Sequence, residues 1–202
     1  MSAHSTGKPN GYQRRRAATR AELIALGLER MPDKGYSGLT VEDLVRNSRH
    51  TRGAFYFHFT GKEDFFLAML EGSADLRDGW WVPGADPHYT TLRDALATAL
   101  ANLASSPAGS PALVVLIAEF AQAARGRPAL EAEVRRLYEQ SIVELTRFIG
   151  PAAERGLVRT DRSPDELARM VLATTDGHEL HAHLYDYSAD GLLDALDRLL
   201  RP

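Results

Sequence analysis

Apolar residues recur at three- and four-residue spacing along most of the chain, and several of these runs begin behind a residue suited to start a helix. Leu23, Ile24, Leu28 and Met31 follow Thr19-Arg-Ala-Glu22, where a Thr hydroxyl and a Glu carboxylate three positions on satisfy orphan amides of a helix start. Gly35 is the expected stop. Pro32 removes a backbone donor and crowds the Leu28 carbonyl, so this first helix is expected to bend or end early there. Thr40 precedes Val41, Leu44 and Val45 with Asp43 in the third position. Thr60-Gly-Lys-Glu63 precedes FFLAML, and Ser163-Pro-Asp-Glu166 precedes LARMVLATT with Pro in the first turn. Thr51 also reads as an N-cap, but its third position is Ala54. A carboxylate there would repel a phosphate approaching the helix start.

No strand pattern competes. LVVLIAEFA at 113–121 is apolar enough for a buried strand, but Pro111 in front and the continuation to Ala124 favour a buried helix. Further helical segments are expected at about 89–105, 128–155, 164–185 and 190–201, separated by SSPAGSP, RGRP, RGLVRTDRSP and YSADG. The chain is thus expected to be all-α, with about nine helices. Residues 1–13 are expected to form a disordered arm, 14–62 a small N-terminal domain and 63–202 a larger second domain.

Charge changes the picture more than composition does. The net charge is −3, but residues 1–62 carry eleven Lys and Arg against five Asp and Glu, and residues 63–202 carry thirteen against twenty-two. A basic head on an acidic body points to a polyanionic partner for the head. With no cysteine, disulfides, thiolate metal sites and cysteine nucleophiles are excluded. No run approaches the roughly 18 apolar residues of a membrane span, and the N-terminus has no apolar signal core, so a cytoplasmic protein is expected.

The basic residues of the head concentrate around NSRHTRGAFYFHFTGK at 47–62. A helix at 40–46, a polar link at 47–50 and a helix from 51 to about 58 have helix-turn-helix spacing. On a helical wheel Ala54, Phe55 and His58 fall toward one side and Arg52, Gly53 and Tyr56 toward the other. One side anchors the helix to its own domain while the other faces a major groove. Arg52 suits a guanine edge, Tyr56 and the cations suit phosphates, and Gly53 has no side chain to hold the backbone away. Lys62 adds charge at the start of the following helix. Candidate DNA contacts are Thr40, Arg49, His50, Thr51, Arg52, Gly53, Ala54, Tyr56, Phe57, His58 and Lys62.

GYSGLTVEDLVRNSRHTRGAFYFHFTGKEDFFLAML resembles the DNA-binding domain of the tetracycline-repressor (TetR) family over residues 16–75, with its Gly-Tyr turn, Thr-initiated second helix, aromatic-Tyr-x-His-Phe recognition helix and Lys-Glu start of helix four. Elsewhere RGLVRTDRSPDELA, LATTDGHELH and GLLDALDRLL resemble that family in layout. The resemblance implies a homodimeric, ligand-responsive repressor with a divergent C-terminal ligand-binding and dimerisation domain. Double-stranded operator DNA, a small-molecule effector and a second copy of the chain are the implied partners. The family's turn glycine is replaced by Arg49, followed by His50. Arg49 is therefore expected to adopt a left-handed conformation or shift the turn. Both residues are either DNA contacts particular to this chain or solvated turn residues.

Other constellations are less specific. Leu167, Val171, Leu180, Leu184, Leu192, Leu196 and Leu199 give the last two helices more apolar surface than a small domain is expected to cover alone, and are candidates for the dimer interface. Trp80 and Trp81 either wall a ligand pocket with Phe66, Met69, Leu116, Phe120, Tyr138, Met170, Thr174 and His178, or belong to the core. Such a lining suggests a mainly apolar effector. DGHELHAHLYD offers His178, Glu179, His181, His183 and Asp186, but its histidines are not four apart on one helix face, and polar interface residues account for them more simply than a metal. No GxSxG, dinucleotide fingerprint or phosphate loop is present, so neither a catalytic site nor a cofactor is assigned. The alternatives to an operator-binding regulator are a helical enzyme and a protein-binding scaffold.

Overall fold

The computed structural model describes residues 10–75, 86–105, 111–182, 184–185 and 188–202; Trp80, Trp81, His183 and Asp186 lie outside the described residues. Among them are nine α-helices and no strand. The helices are α1 (Gly11–Gly38), α2 (Val41–Val45), α3 (Arg52–His58), α4 (Lys62–Asp75), α5 (Leu92–Ala104), α6 (Pro111–Ala124), α7 (Pro128–Glu154), α8 (Pro164–His181) and α9 (Ala189–Leu200). No helix of the described residues is long and apolar enough to cross a membrane. Two compact units divide the chain, Met1–Met69 and Leu70–Pro202, so the boundary falls inside α4 rather than at Lys62. The reason is packing. Phe65, Phe66 and Met69 are fully buried, with Phe65 5.3 Å from the Phe55 ring and Phe66 5.0 Å from the Tyr36 ring.

In the first unit α1 begins earlier than expected. Asn10 accepts from the Gln13 amide and donates its own amide to Gln13 Oε1, both at 2.9 Å, so Asn10-Gly-Tyr-Gln13 forms the capping box. Residues 11–13 are therefore helical rather than part of an arm, Thr19 lies within the helix, and Glu22 is released for another task. The helix continues past Pro32 and breaks at Gly35, whose φ of 70° suits a residue without Cβ. Gly27 lies on the side of α1 that meets Phe65; a Cβ there would approach the Phe65 ring to 2.5 Å.

Thr40 and Asp43 form the expected capping box of α2, and the Thr51 hydroxyl accepts from the Ala54 amide at the start of α3. Between them the left-handed residue is Asn47, at φ 56°, and not Arg49. Asn tolerates this region better than most residues, which lets the turn shift upstream of Arg49. At α4, Thr60 bonds Asp64 through its amide and hydroxyl, at 2.8 and 3.1 Å.

In the second unit Leu92, Ala95 and Leu96 of α5, Ile142, Leu145, Phe148 and Ile149 of α7, Leu167, Ala168 and Val171 of α8, and Leu192, Leu196 and Leu200 of α9 share one buried cluster. Gly156, at φ 73°, closes α7 with a Schellman pair in which the Gly156 and Leu157 amides donate to the Ala153 and Ala152 carbonyls. Four of the seven residues expected at a dimer interface, Leu167, Val171, Leu192 and Leu196, are thus core of the chain itself. The apolar faces of α8 and α9 are covered from within by α5 and α7, a source of cover that periodicity alone does not reveal. Leu180 and Leu199 are half-buried, whereas Leu184 is 64% exposed.

Candidate nucleic-acid interface

α3 has two chemically distinct sides. Phe55 and the cap residue Phe59 are buried, with ring centroids 5.3 Å apart, and Phe59 meets Phe65 at 5.0 Å. Ala54 and His58 are half-buried on the flanks of this anchor. Arg52, Gly53, Tyr56 and Phe57 are exposed, and their one- and four-residue spacing makes one continuous face. Phe57 thus joins Arg52, Gly53 and Tyr56, the three residues that the helical wheel places on this side. Thr40 and Thr51 are exposed but serve as helix caps.

Carboxylates hold several of the cations. Arg52 pairs with Glu42 of α2 at 2.5 Å and lies 6.0 Å from the Tyr56 ring centroid. Arg49 engages both oxygens of Glu22, with Nε at 3.1 Å from Oε2 and a second contact from its terminal nitrogen to Oε1. The Arg49 guanidinium holds the Glu22 carboxyl below its usual range, and Glu22 raises Arg49 in return. His50 Nε2 reaches the same carboxylate at 3.1 Å from a nearly buried position. Neither residue is merely a solvated turn residue: both tie the turn to α1.

Other cations brace the motif. The Arg30 guanidinium of α1 donates to the carbonyls of Asp43, Leu44 and Arg46 at 2.6–2.8 Å, satisfying the end of α2. Asp43 pairs with Lys34 at 2.8 Å and Arg46 at 3.1 Å, and the Lys34 and Thr40 hydrogen bonds bring its carboxyl down to about 2. Lys62, expected to face phosphate, donates instead to the Tyr36 and Ser37 carbonyls at 2.8 and 3.3 Å, with its ammonium 4.6 Å from the Tyr36 ring centroid. Arg16 and Arg20, one turn apart on α1, lie 5.4 Å from the centroids of Phe57 and Phe59. Burial, with Arg16, Arg20 and His50 nearby, lowers the pKa of His58 and so favours its neutral form. Neither Arg16 nor Arg20 is among the candidate DNA contacts read from the sequence, although their i,i+4 spacing on a helix is the available signal.

The second unit contains a cavity of about 50 Å³ lined by Leu113, Val114 and Ile117 of α6, Leu137, Tyr138 and Ser141 of α7, and Leu172 and Asp176 of α8. Of the residues expected to line a ligand pocket, Tyr138 is brought to this cavity. Leu116 and Phe120 of α6 and Phe66 and Met69 of α4 are buried. Met170 is exposed, Thr174 donates its hydroxyl back to the Met170 carbonyl at 2.8 Å, and the His178 ring lies 3.3 Å from the Ser188 carbonyl. An apolar residue repeated at helical spacing marks a helix that is buried somewhere; the side that borders a void depends on which helices it meets.

Residues 92–201 match the family described as BetI-type transcriptional repressor, C-terminal, and residues 23–69 match that of bacterial regulatory proteins, tetR family. The chain belongs to the tetR family. The resemblance read from the helix-turn-helix residues therefore holds, and the second match extends it through the C-terminal unit. The transcriptional regulator YwcC of Bacillus subtilis is 41% identical over 64 residues, 32% of this chain and 29% of that protein. The transcriptional regulator AcuR of Cereibacter sphaeroides is 38% identical over 65 residues, again 29% of its length, so these matches span less than a third of either relative. The transcriptional repressor DhaR of Mycobacterium sp. is 26% identical over 167 residues, 80% of this chain and 81% of that one. Among solved structures, the reduced form of Escherichia coli NemR superposes with a TM-score of 0.67 at 21% identity, covering 90% of this chain and 95% of NemR. A tetR-family regulator of Cytophaga hutchinsonii gives 0.71 at 17% identity, covering 96% of each chain. At these identities the likeness concerns the fold.

Proposed function

We propose that this tetR-family chain is a homodimeric transcriptional repressor that binds a palindromic operator and is released from it by a small, mainly apolar effector. The observation that carries the reading is the exposed Arg52-Gly53-Tyr56-Phe57 face of α3, with Arg16 beside its Phe57 edge and its opposite side anchored by Phe55 and Phe59. Such a helix presents an arginine, a tyrosine hydroxyl and an open glycine to a groove, and surrounds them with positive charge. Arg49 contacts phosphate in this reading by exchanging Glu22 for it, while His50 keeps the turn attached to α1. A duplex-binding role accounts for these features where an enzyme or a protein scaffold does not, and the named relatives are transcriptional regulators.

Two recognition helices in a dimer read half-sites about one helical turn, or a multiple of it, apart. The effector site is assigned to the cavity between α6, α7 and α8, where apolar walls meet Tyr138, Ser141 and Asp176. At about 50 Å³ this space admits only a few heavy atoms, so a larger effector must widen it. That widening, passed along the chain through α4, favours a conformer whose recognition helices no longer match the operator. The setting is the cytoplasm, where the operator is.

Affinity selection of random duplex fragments by the full chain tests the reading. One enriched pseudo-palindrome is expected; recovery of unrelated sequences in proportion to their abundance overturns it. Coupling is tested separately, because effector and operator must weaken each other by the same factor. Equal effector affinity for the DNA-bound and the unbound protein rules out release by effector.

A further inference from the structure

Phe57 is 58% exposed although it is a phenylalanine on a seven-residue helix whose other phenylalanine, Phe55, is completely buried. Its ring is nevertheless held. The Arg16 guanidinium lies 5.4 Å from the ring centroid, and the His58 ring meets it edge-on at 5.1 Å and 89°. Arg16 is itself exposed and comes from α1, so two elements cooperate to fix an apolar side chain that contributes nothing to the buried core of the unit. Phe57 also continues the face of Arg52, Gly53 and Tyr56, and a Cβ placed on Gly53 would meet only the Thr51 hydroxyl, at 3.6 Å. Among the described residues, nothing within 4 Å of that Cβ position except the Thr51 hydroxyl stands in the way of a flat surface there.

Chemistry narrows what such a surface offers. A phenyl ring has no hydroxyl to donate to phosphate, so its contribution at a nucleic-acid surface is apolar. In the major groove the apolar feature of the base edges is the C5-methyl group of thymine. We propose that Phe57 is a specificity-determining residue whose ring packs on the methyl group of one thymine in each operator half-site, with Arg16 bracing the ring on the phosphate side. This rests on the operator-binding reading and adds an atom to it: Arg52 selects by hydrogen bonds, whereas Phe57 selects by a methyl group. The exposed Arg16 guanidinium beside the ring favours duplex DNA over an apolar protein partner.

The test uses the full chain and its selected operator, with thymines replaced one at a time by deoxyuridine, which deletes the methyl group and leaves base pairing intact. One position per half-site is expected at which the unmodified protein loses affinity by about fourfold, and about fifteenfold when both half-sites are changed, the effect of about one buried methylene each. Phe57→Ala should bind the operator more weakly, lose this discrimination, and retain the preference at the base pair read by Arg52. Phe57→Leu, which keeps an apolar side chain, should restore part of the discrimination. The proposal is overturned if no thymine position responds, or if Phe57→Ala suffers the same loss on deoxyuridine as the unmodified chain. Thermal unfolding of both variants separates these results from loss of fold. If the unmodified protein selects no duplex at all, the operator reading fails and the methyl contact falls with it; if it selects one but ignores the methyl groups, only the methyl contact fails.

Discussion

Lys62 shows how far a long side chain can depart from the role its position implies. Its ammonium donates to the Tyr36 and Ser37 carbonyls, which follow the break of α1 at Gly35. Lys62→Ala should therefore lower stability by about 1–3 kcal/mol through two lost charge-assisted bonds, and leave the salt dependence of operator binding unchanged. Thermal unfolding and binding at two salt concentrations check this; a salt slope lower by about one unit, at unchanged stability, would mean that Lys62 holds phosphate. The stop at Gly35 was legible in the sequence because a helix-ending glycine is a local property. The destination of Lys62 was not, because the carbonyls it satisfies are exposed only once that stop is made. Asp43 offers a second residue-level test. Its carboxyl titrates at about 2 in the folded chain against an ordinary 3.8, so the unfolded chain takes up the proton first as pH falls. The stabilisation is complete above the ordinary value and is lost as pH drops from about 4 to about 2. Unfolding midpoints of the unmodified chain should fall more steeply across that window than those of Asp43→Asn.

At the scale of elements, α3 is too short to persist by itself and depends on its cap and on the burial of Phe55 and Phe59. Thr51→Ala removes the side-chain acceptor of the Ala54 amide and should cost about 1 kcal/mol, measured by denaturant unfolding, with weaker operator binding as the recognition helix frays. Gly27 sets the packing of α1 on α4. Gly27→Ala would bring a methyl group to within 2.5 Å of the fully buried Phe65 ring, so a loss of about 1–3 kcal/mol is expected by the same measurement, despite the higher helix propensity of alanine. Helix type and order were readable throughout because the apolar spacing is helical in every segment. Boundaries were less so: Asn10-Gly-Tyr-Gln13 and Thr19-Arg-Ala-Glu22 both fit a capping box, and in the folded chain the first forms one while Glu22 meets Arg49 and His50. The turn followed the same logic, since Asn47 and Arg49 compete for one left-handed position and the cheaper residue takes it.

At the scale of the whole molecule, periodicity identifies an apolar face but not whether the same chain or a second copy covers it. α8 and α9 illustrate the difference: Leu196 is fully buried against its own chain, whereas Leu184, Tyr185 and Met170 remain exposed at 64%, 58% and 36%. The proposed dimer must therefore draw on the exposed set, and two charged substitutions separate the roles. Leu196→Glu places an unpaired carboxylate in the core of the second unit and should cost on the order of 4 kcal/mol, seen as loss of cooperative unfolding. Leu184→Glu should leave the unfolding of the protomer nearly unchanged and shift the protein to monomers in sedimentation at micromolar concentration. Operator binding should fall with it, because two half-sites reinforce each other only when both recognition helices belong to one particle. If Leu184→Glu sediments as the unmodified dimer and binds the operator equally well, the second copy is docked on a different surface, and the exposed residues 184–185 that follow α8 have no part in assembly.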